Sequence, residues 1–330
     1  MLKPLDTGIL CICADFEMAW SGRIVPDDRS RDRRYEGTDH TIKSILSITD
    51  KYGIPMTWAT VGALMLTRPY DFSRFDKFNN DDSFFCGNWY DVPKFKSDRA
   101  KYFYAPQLVE RIIKSTAAHE IGCHTFTHIY CGSESMKSER FQMELESCRE
   151  VAKEWGINLQ SFVYPSQYNA YLDILEDEQF KIFRYDSLEW FRFGKPYIPS
   201  FDVNFKNRLR KYIGAFGKYI DERMCITPKT YQIERYGNMT KFINSSFLPG
   251  YYGVSKYVSV HNRIRRMCKG IDSAIKKKKM FSFFFHPWNF NKRRDDCLLA
   301  LETICRYAAE KREKGLLKIV TMDTLKTFIQ

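Results

Sequence analysis

His119-Glu120-Ile121-Gly122-Cys123-His124-Thr125-Phe126-Thr127-His128 contains a short strand-like run, Glu120 to Cys123, that ends in two histidines four residues apart. The chain has only six histidines in 330 residues, so this pair stands out. A third, His286, closes the apolar run Met280 to Phe285 and is followed by Pro287-Trp288. Near the N-terminus the apolar run Ile9 to Ala14 ends in Asp15-Phe16-Glu17. Strands that each deliver a histidine or a carboxylate at their C-terminal end are how an α/β barrel builds a metal site. Thr125-Phe126-Thr127 is a poor helix former, so the pair is expected on a loop, not on one helix face as in HExxH.

Outward from this stretch, strand and helix signals alternate. Residues 8–14 read as a buried strand. Thr38-Asp39 reads as the N-cap of a helix to about Tyr52, with Ile42, Ile45, Leu46 and Ile48 on one face and Gly53 closing it. Pro55 to Thr60 reads as a second strand, and strand–helix–strand so early in the chain argues for a parallel sheet. Further helices are predicted over 107–117, 138–155, 171–179, 258–276, 293–314 and 322–329, and strands over 120–123, 159–164, 181–185, 280–285 and 317–321. Two stretches break the rhythm. Residues 66–104 hold Pro69, Gly87, Pro93 and many aromatics, and read as an insertion that covers a site. Residues 191–256 read as irregular, rich in aromatic, glycine and basic residues. With no internal repeat and no low-complexity linker, residues 1–330 read as a single α/β barrel domain with two excursions.

Charged residues at 28% and hydrophobic residues at 44% indicate a globular chain. The net charge of +12 is spread over clusters at 29–34, 206–211, 263–269 and 276–279. It is read either as solvated surface or as attraction to an anionic partner: a phosphorylated glycan carrier, an anionic lipid surface or, last, nucleic acid. No zinc-finger, RRM or helix-turn-helix signature supports the nucleic acid. The ten cysteines contain no CxxC pair, and Cys11, Cys123 and Cys148 sit inside apolar patterns. Reduced, buried thiols are expected, which points to the cytoplasm. No apolar run approaches the ~18 residues of a membrane span. The first apolar run leads straight into Asp15 and Glu17, unlike a signal peptide.

With these residues placed, the chain resembles the polysaccharide deacetylase family, also called the NodB homology domain or carbohydrate esterase family 4, from about Leu10 to about Leu325. Residues 119–128 look like the family's HxxxH metal motif with its leading strand. Tyr52-Gly53-Ile54-Pro55-Met56-Thr57-Trp58-Ala59-Thr60-Val61-Gly62 is similar to a second conserved segment. Asp15-Phe16-Glu17 stands at the acidic pair, Phe162-Val163-Tyr164-Pro165 at the third motif and Phe285-His286-Pro287 at the last. The resemblance implies a distorted (β/α) barrel of the NodB-like type, with the insertions at about 66–104 and 191–256 unmatched.

It also implies a chemistry. Amide hydrolysis needs an activated water, a polarised carbonyl and a proton for the leaving amine, and a divalent metal serves the first two. The expected ligands are His124, His128 and one carboxylate. The metal is expected to be zinc, with cobalt, nickel and iron as alternatives. The family pattern suggests Asp15 as base and Glu17 as ligand. Because the pair is split by Phe16 and the second member is Glu, the two roles are left interchangeable. Residues i and i+2 of a strand share a side, so both carboxylates can face one metal. His286 is the candidate acid, and the Ser166 backbone N–H a candidate oxyanion donor. Many relatives have an arginine two residues before the motif-three proline that orients the base; this chain has Val163 there, and Arg184 is the candidate substitute. Trp58, Trp89 and Trp288 are candidates for a sugar platform, and Asp186 for a substrate contact.

The function expected is removal of an N-acyl group, acetyl or formyl, from an amino sugar of a polysaccharide or cell-surface glycan precursor. That substrate is read as a sugar nucleotide or lipid-pyrophosphate-linked glycan at the inner membrane face. Two alternatives stand beside it: hydrolysis of a non-carbohydrate amide, and a metal-free NodB-like protein that binds glycan or an anion. Oligomeric state is not readable.

Overall fold

Ile9 to Ala14 is apolar without a break, which suits a strand covered on both faces. It forms the centre of β1 (Gly8–Phe16), all of whose residues are buried. β1 pairs in parallel with β9 (Met280–Phe285) on one side. On the other side, its first half pairs with β10 (Leu317–Val320) and its second half with β2 (Thr57–Thr60). From β2 the sheet runs through β3 (Glu120–Cys123), β4 (Ser161–Val163) and β5 (Ile182–Tyr185) to β7 (Met239–Ile243) and β6 (Glu234–Tyr236); beyond β9 lies β8 (Ser246–Phe247). Only the β6–β7 pair is antiparallel among these ladders. In this computed structural model, residues 5–22, 33–78, 89–132, 136–167, 169–185, 191 and 205–328 are described.

β7 and β8 are consecutive, so one stretch of chain pairs with β5 at its start and with β9 at its end. Between them Ser245 exchanges hydrogen bonds with Ser282: its N–H donates to the Ser282 carbonyl (3.2 Å), and its Oγ accepts from the Ser282 N–H (3.1 Å). The ten-stranded sheet thereby curls into the half-barrel wall of a distorted barrel, as the sequence implies. The helices are α1 (Thr38–Tyr52), α2 (Pro106–Ile113), α3 (Ser138–Glu154), α4 (Leu172–Asp177), α5 (Phe205–Arg223), α6 (Val260–Lys277), α7 (Arg294–Glu313) and α8 (Met322–Leu325).

The two-residue period of the strands sorts the core. Leu10, Ile12, Ala14 and Phe16 belong to the cluster shared with the helices. Ile9, Cys11 and Cys13 join Ala59, Val163, Ile182 and Phe284 in the barrel interior. Continuing each alternation by one step carries Asp15, Arg184 and His286 to the interior side. His124 follows Cys123, a member of the helix-facing cluster, and so it too turns inward.

Two expectations are corrected. α1 is not capped by Thr38-Asp39, which lie inside the helix; its N-cap is Gly37, in the left-handed region at φ 76°, without a side-chain cap. Gly53 closes α1 as expected, at φ 58°, with its N–H on the Asp50 carbonyl (3.2 Å). The described part of 191–256 is not irregular: it carries α5, β6, β7 and β8. Those strands lack a periodic apolar signal because pairing with β5 and β9 holds them, not their intrinsic propensity. Residues 66–104, by contrast, form no strand or α-helix among the described residues, only 3-10 turns, with Phe75, Trp89 and Tyr90 buried.

Part of the basic charge is also accounted for. Arg263 on α6 is buried and donates to the carbonyls of Pro249, Gly250 and Ser255, and buried Arg266 pairs with Asp221. The 263–269 cluster is therefore largely structural, not a surface for an anionic partner.

Candidate active site

The interior ends of β1, β3, β5 and β9 converge. Glu17, one residue past β1, has its Oε2 2.9 Å from His128 Nε2 and 3.5 Å from His124 Nε2. One ligand atom from each of these three buried residues lies within 4.8 Å of the others. His286 Nε2 is 3.6 Å from Glu17 Oε1 and 3.9 Å from Asp15 Oδ2. Arg184 grips Asp15 with both ends of its fork, at 2.8 Å (Nη1 to Oδ1) and 2.6 Å (Nη2 to Oδ2).

The donor set fits a divalent cation. His124 donates its Nδ1–H to the Val163 carbonyl (2.7 Å), which leaves the Nε2 lone pair facing Glu17. That Nε2 is buried and has no hydrogen-bond partner, an arrangement a cation satisfies. Two imidazoles and a carboxylate are a common ligand set for catalytic zinc.

The loop that presents the histidines is held from several sides. Thr125 and His128 take left-handed backbone conformations (φ 58° and 61°), so the chain doubles back and both rings face inward. The N–H groups of Gly62 and Ala63 bind the carbonyls of Thr125 and Phe126, each at 2.9 Å. Gly62 has no room for a side chain: a Cβ would stand 2.6 Å from Cys148 Sγ and 2.8 Å from the Phe126 ring. Phe126 is fully buried and stacks on Phe72 and Phe75. Glu144 of α3 accepts from the Thr127 N–H (2.7 Å), the Thr127 hydroxyl (2.5 Å) and the Tyr90 hydroxyl (3.1 Å); Trp89 donates to Thr127 Oγ1 (2.9 Å), and Arg140 to the Tyr90 hydroxyl (2.9 Å). The expectation that 66–104 covers a site thus becomes a different finding. Its described residues buttress the histidine loop from behind.

Electrostatics separate the two carboxylates. Burial acts to raise both. For Asp15 the Arg184 guanidinium outweighs it and holds the carboxyl below its ordinary value. For Glu17 the surrounding histidines, His286 first, outweigh it and hold the carboxyl well below. Burial lowers His128, with Glu17 acting against it, which favours the neutral, ligating imidazole.

Val163 and Arg184 are register partners across β4 and β5. The Arg184 guanidinium reaches Asp15 from β5, the strand beside the one that carries Val163. It also lies over the Phe284 ring, 4.4 Å from its centroid. Ser166 sits in the turn after β4 in a left-handed conformation (φ 54°). Trp288, half-buried, donates its indole N–H to Glu17 Oε1 (3.1 Å). Trp58 and Trp89 are buried, so the three-tryptophan platform is not formed; only Trp288 borders the site. Asp186 lies outside the described residues. Asn289, missed in the sequence, has its amide nitrogen 3.1 Å from His286 Nδ1. As donor it leaves the ring proton on Nε2, the atom that faces the carboxylates. Thr127, Glu144, Tyr90 and Arg140 were also missed.

The sequence profile of the family described as polysaccharide deacetylase matches residues 32–181. Through these residues the chain is similar to the polysaccharide deacetylase family. The matched stretch carries His124, His128 and Val163; Asp15, Glu17, Arg184 and His286 lie outside it. No curated protein matches the chain. Among solved structures, one from Mycobacterium smegmatis assigned as a polysaccharide deacetylase is similar over 100% of this chain and 95% of its own, at 13% identity and TM-score 0.59. One from Pseudomonas aeruginosa PAO1 with the same assignment covers 97% and 90%, at 11% and 0.56. The allantoinase PuuE covers 97% and 89%, at 12% and 0.56. These similarities establish the polysaccharide deacetylase fold.

Proposed function

We propose that this protein is a metal-dependent hydrolase that removes an acetyl or formyl group from the nitrogen of an amino sugar in a polysaccharide or glycan precursor. The observation that carries this reading is the buried Glu17–His124–His128 cluster, bordered by an arginine-clamped carboxylate and a histidine. A divalent ion held by those three residues, zinc first, supplies Lewis acidity to the amide carbonyl and acidifies a water.

The chain's own groups complete the reaction. Asp15, kept ionised and fixed in orientation by Arg184, takes a proton from the attacking water. As the C–N bond breaks, His286 gives its Nε2 proton to the departing nitrogen, and Asn289 keeps that proton on Nε2 through its contact at Nδ1. Trp288 orients Glu17. The Ser166 N–H is assigned to the developing oxyanion. The products are a carboxylate and a free amine.

Buried cysteines support a cytoplasmic setting: nine are free among the described residues, eight of them buried. No helix among the described residues is long and apolar enough to cross a membrane. Presentation of the substrate at an anionic lipid surface is part of the proposal; its support is the exposed apolar row Leu209, Tyr212, Ile213 and Phe216 on α5, within a basic chain. A second reading, hydrolysis of a non-carbohydrate amide, draws on the fold shared with the allantoinase. The test is release of acetate or formate from N-acetylated and N-formylated amino sugars, against simple amides, by the zinc-loaded protein and its Asp15→Asn variant. Turnover of the sugars, lost in the variant, supports the proposal. Turnover of the simple amides alone selects the second reading, and no turnover of either sinks both.

A further inference from the structure

Trp288 is also the inner end of a second cluster, which the hydrolytic step does not use. Its half-buried ring meets Tyr35 edge-on at 5.6 Å and Tyr252 at 6.0 Å. The Arg34 guanidinium stands 5.5 Å from the Trp288 centroid, and the Lys292 ammonium 5.8 Å from that of Tyr252. Asn291 ties the two segments together: its amide donates to the Arg34 carbonyl (3.0 Å) and Thr38 Oγ1 (2.8 Å), and its oxygen accepts from the Thr41 hydroxyl (2.9 Å).

Both cations are exposed, and among the described residues neither is held by a carboxylate. Other arginines nearby differ: Arg184 is committed to Asp15, Arg263 to backbone carbonyls and Arg293 to Asp296. A cation over an aromatic face is positioned without being neutralised, so its charge remains available to a ligand. A guanidinium fork matches the paired oxygens of a phosphoryl or carboxylate group, while the rings offer an apolar surface to a sugar. One ring, Trp288, spans from the candidate ligand Glu17 to the Arg34 cation.

We propose that Arg34 and Lys292, with Trp288 and Tyr252, form a subsite for an anionic substituent, phosphoryl or carboxylate, on the sugar that carries the scissile amide or on its neighbour. This deepens the hydrolase reading and rests on it for the position of the amide, but binding tests it without turnover.

The experiment is calorimetric titration of three probes: N-acetylglucosamine, N-acetylglucosamine 1-phosphate and N-acetylmuramic acid. Each is titrated into wild type, Arg34→Ala/Lys292→Ala and His124→Ala/His128→Ala. The expected result is that at least one anionic probe binds wild type about tenfold or more tightly than the neutral sugar, by a margin that shrinks with added salt. Which anionic probe it is identifies the group. The margin disappears in the rim variant and persists in the histidine variant, so it stands or falls apart from the metal. Equal affinity for neutral and charged sugars, or a margin that survives in Arg34→Ala/Lys292→Ala, overturns the proposal. Arg34→Lys, which keeps the charge, retains most of the margin; its loss there as well as in the alanine variant assigns recognition to the guanidinium fork.

Discussion

Replacing Arg184 by valine removes the only guanidinium that grips Asp15 among the described residues and leaves that carboxyl 3% exposed. Removing one partner of a buried ion pair costs about 3–5 kcal/mol, because the other charge stays buried and uncompensated. The sign with pH follows from the shift. In wild type the Asp15 carboxyl is held low, so its contribution to stability is present above its unfolded pKa and is lost as pH falls through the folded one. In Arg184→Val burial, the largest influence, is opposed only by His124 and His286, so the carboxyl rises and the variant loses stability as pH rises through that higher value. The gap between the two proteins is therefore large near neutrality and small in acid. Denaturant unfolding at about pH 4.5 and about pH 7.5 measures it. Two further variants sharpen the test. Asp15→Asn/Arg184→Val is more stable than Arg184→Val at neutral pH, since the stranded charge is gone. Val163→Arg/Arg184→Val restores much of the loss, because the two positions are register partners on adjacent strands. A stability gap that is the same at both pH values, with no recovery in either double variant, would refute the assignment of Arg184 as the counter-charge of Asp15.

Glu144→Gln places an amide N–H₂ against donors from Thr127 and Tyr90; it is expected to destabilise the protein by about 1–3 kcal/mol and to weaken metal affinity about tenfold or more, read by unfolding and by competition with a chelator. Phe126→Ala opens a cavity behind the histidine loop and costs about 3–5 kcal/mol in denaturant unfolding. Burial lowers His119 to about 4 from the ordinary 6.5, so the unfolded chain takes up a proton between those values while the folded chain does not. Its stabilising contribution is full above the unfolded pKa and is lost between there and the folded value, a drop of about 3 kcal/mol that is absent from the unfolding profile of His119→Gln.

What was legible in the sequence was what local pattern controls. The unbroken apolar run before Asp15 marked β1 as central, and the two-residue period put Asp15 and Glu17 on one side. The run Met280 to Phe285 delivered His286 in the same way. Thr125-Phe126-Thr127 announced a loop. What was not legible depends on the chain meeting itself. Glu144 reads as one more glutamate in a helix until the segment bearing Trp89 and Tyr90 packs over it. Asn289 looks like a turn residue until its amide nitrogen is seen at the His286 ring. Arg184 was named as a substitute for the arginine absent at Val163, but the β4–β5 register that makes them neighbours cannot be read from either strand alone. β6, β7 and β8 lacked a periodic signal because partners, not propensity, make them strands.

The central claim is that Glu17, His124 and His128 hold a divalent metal, and metal analysis of the purified protein, as isolated and after reconstitution with zinc, tests it most directly. About one equivalent per chain is expected in wild type, lost in His124→Ala/His128→Ala, with the reconstituted wild type gaining thermal stability by mass action. A wild-type protein that takes up no metal and gains no stability from zinc, cobalt or nickel would contradict it, and would leave a polysaccharide deacetylase barrel used for binding.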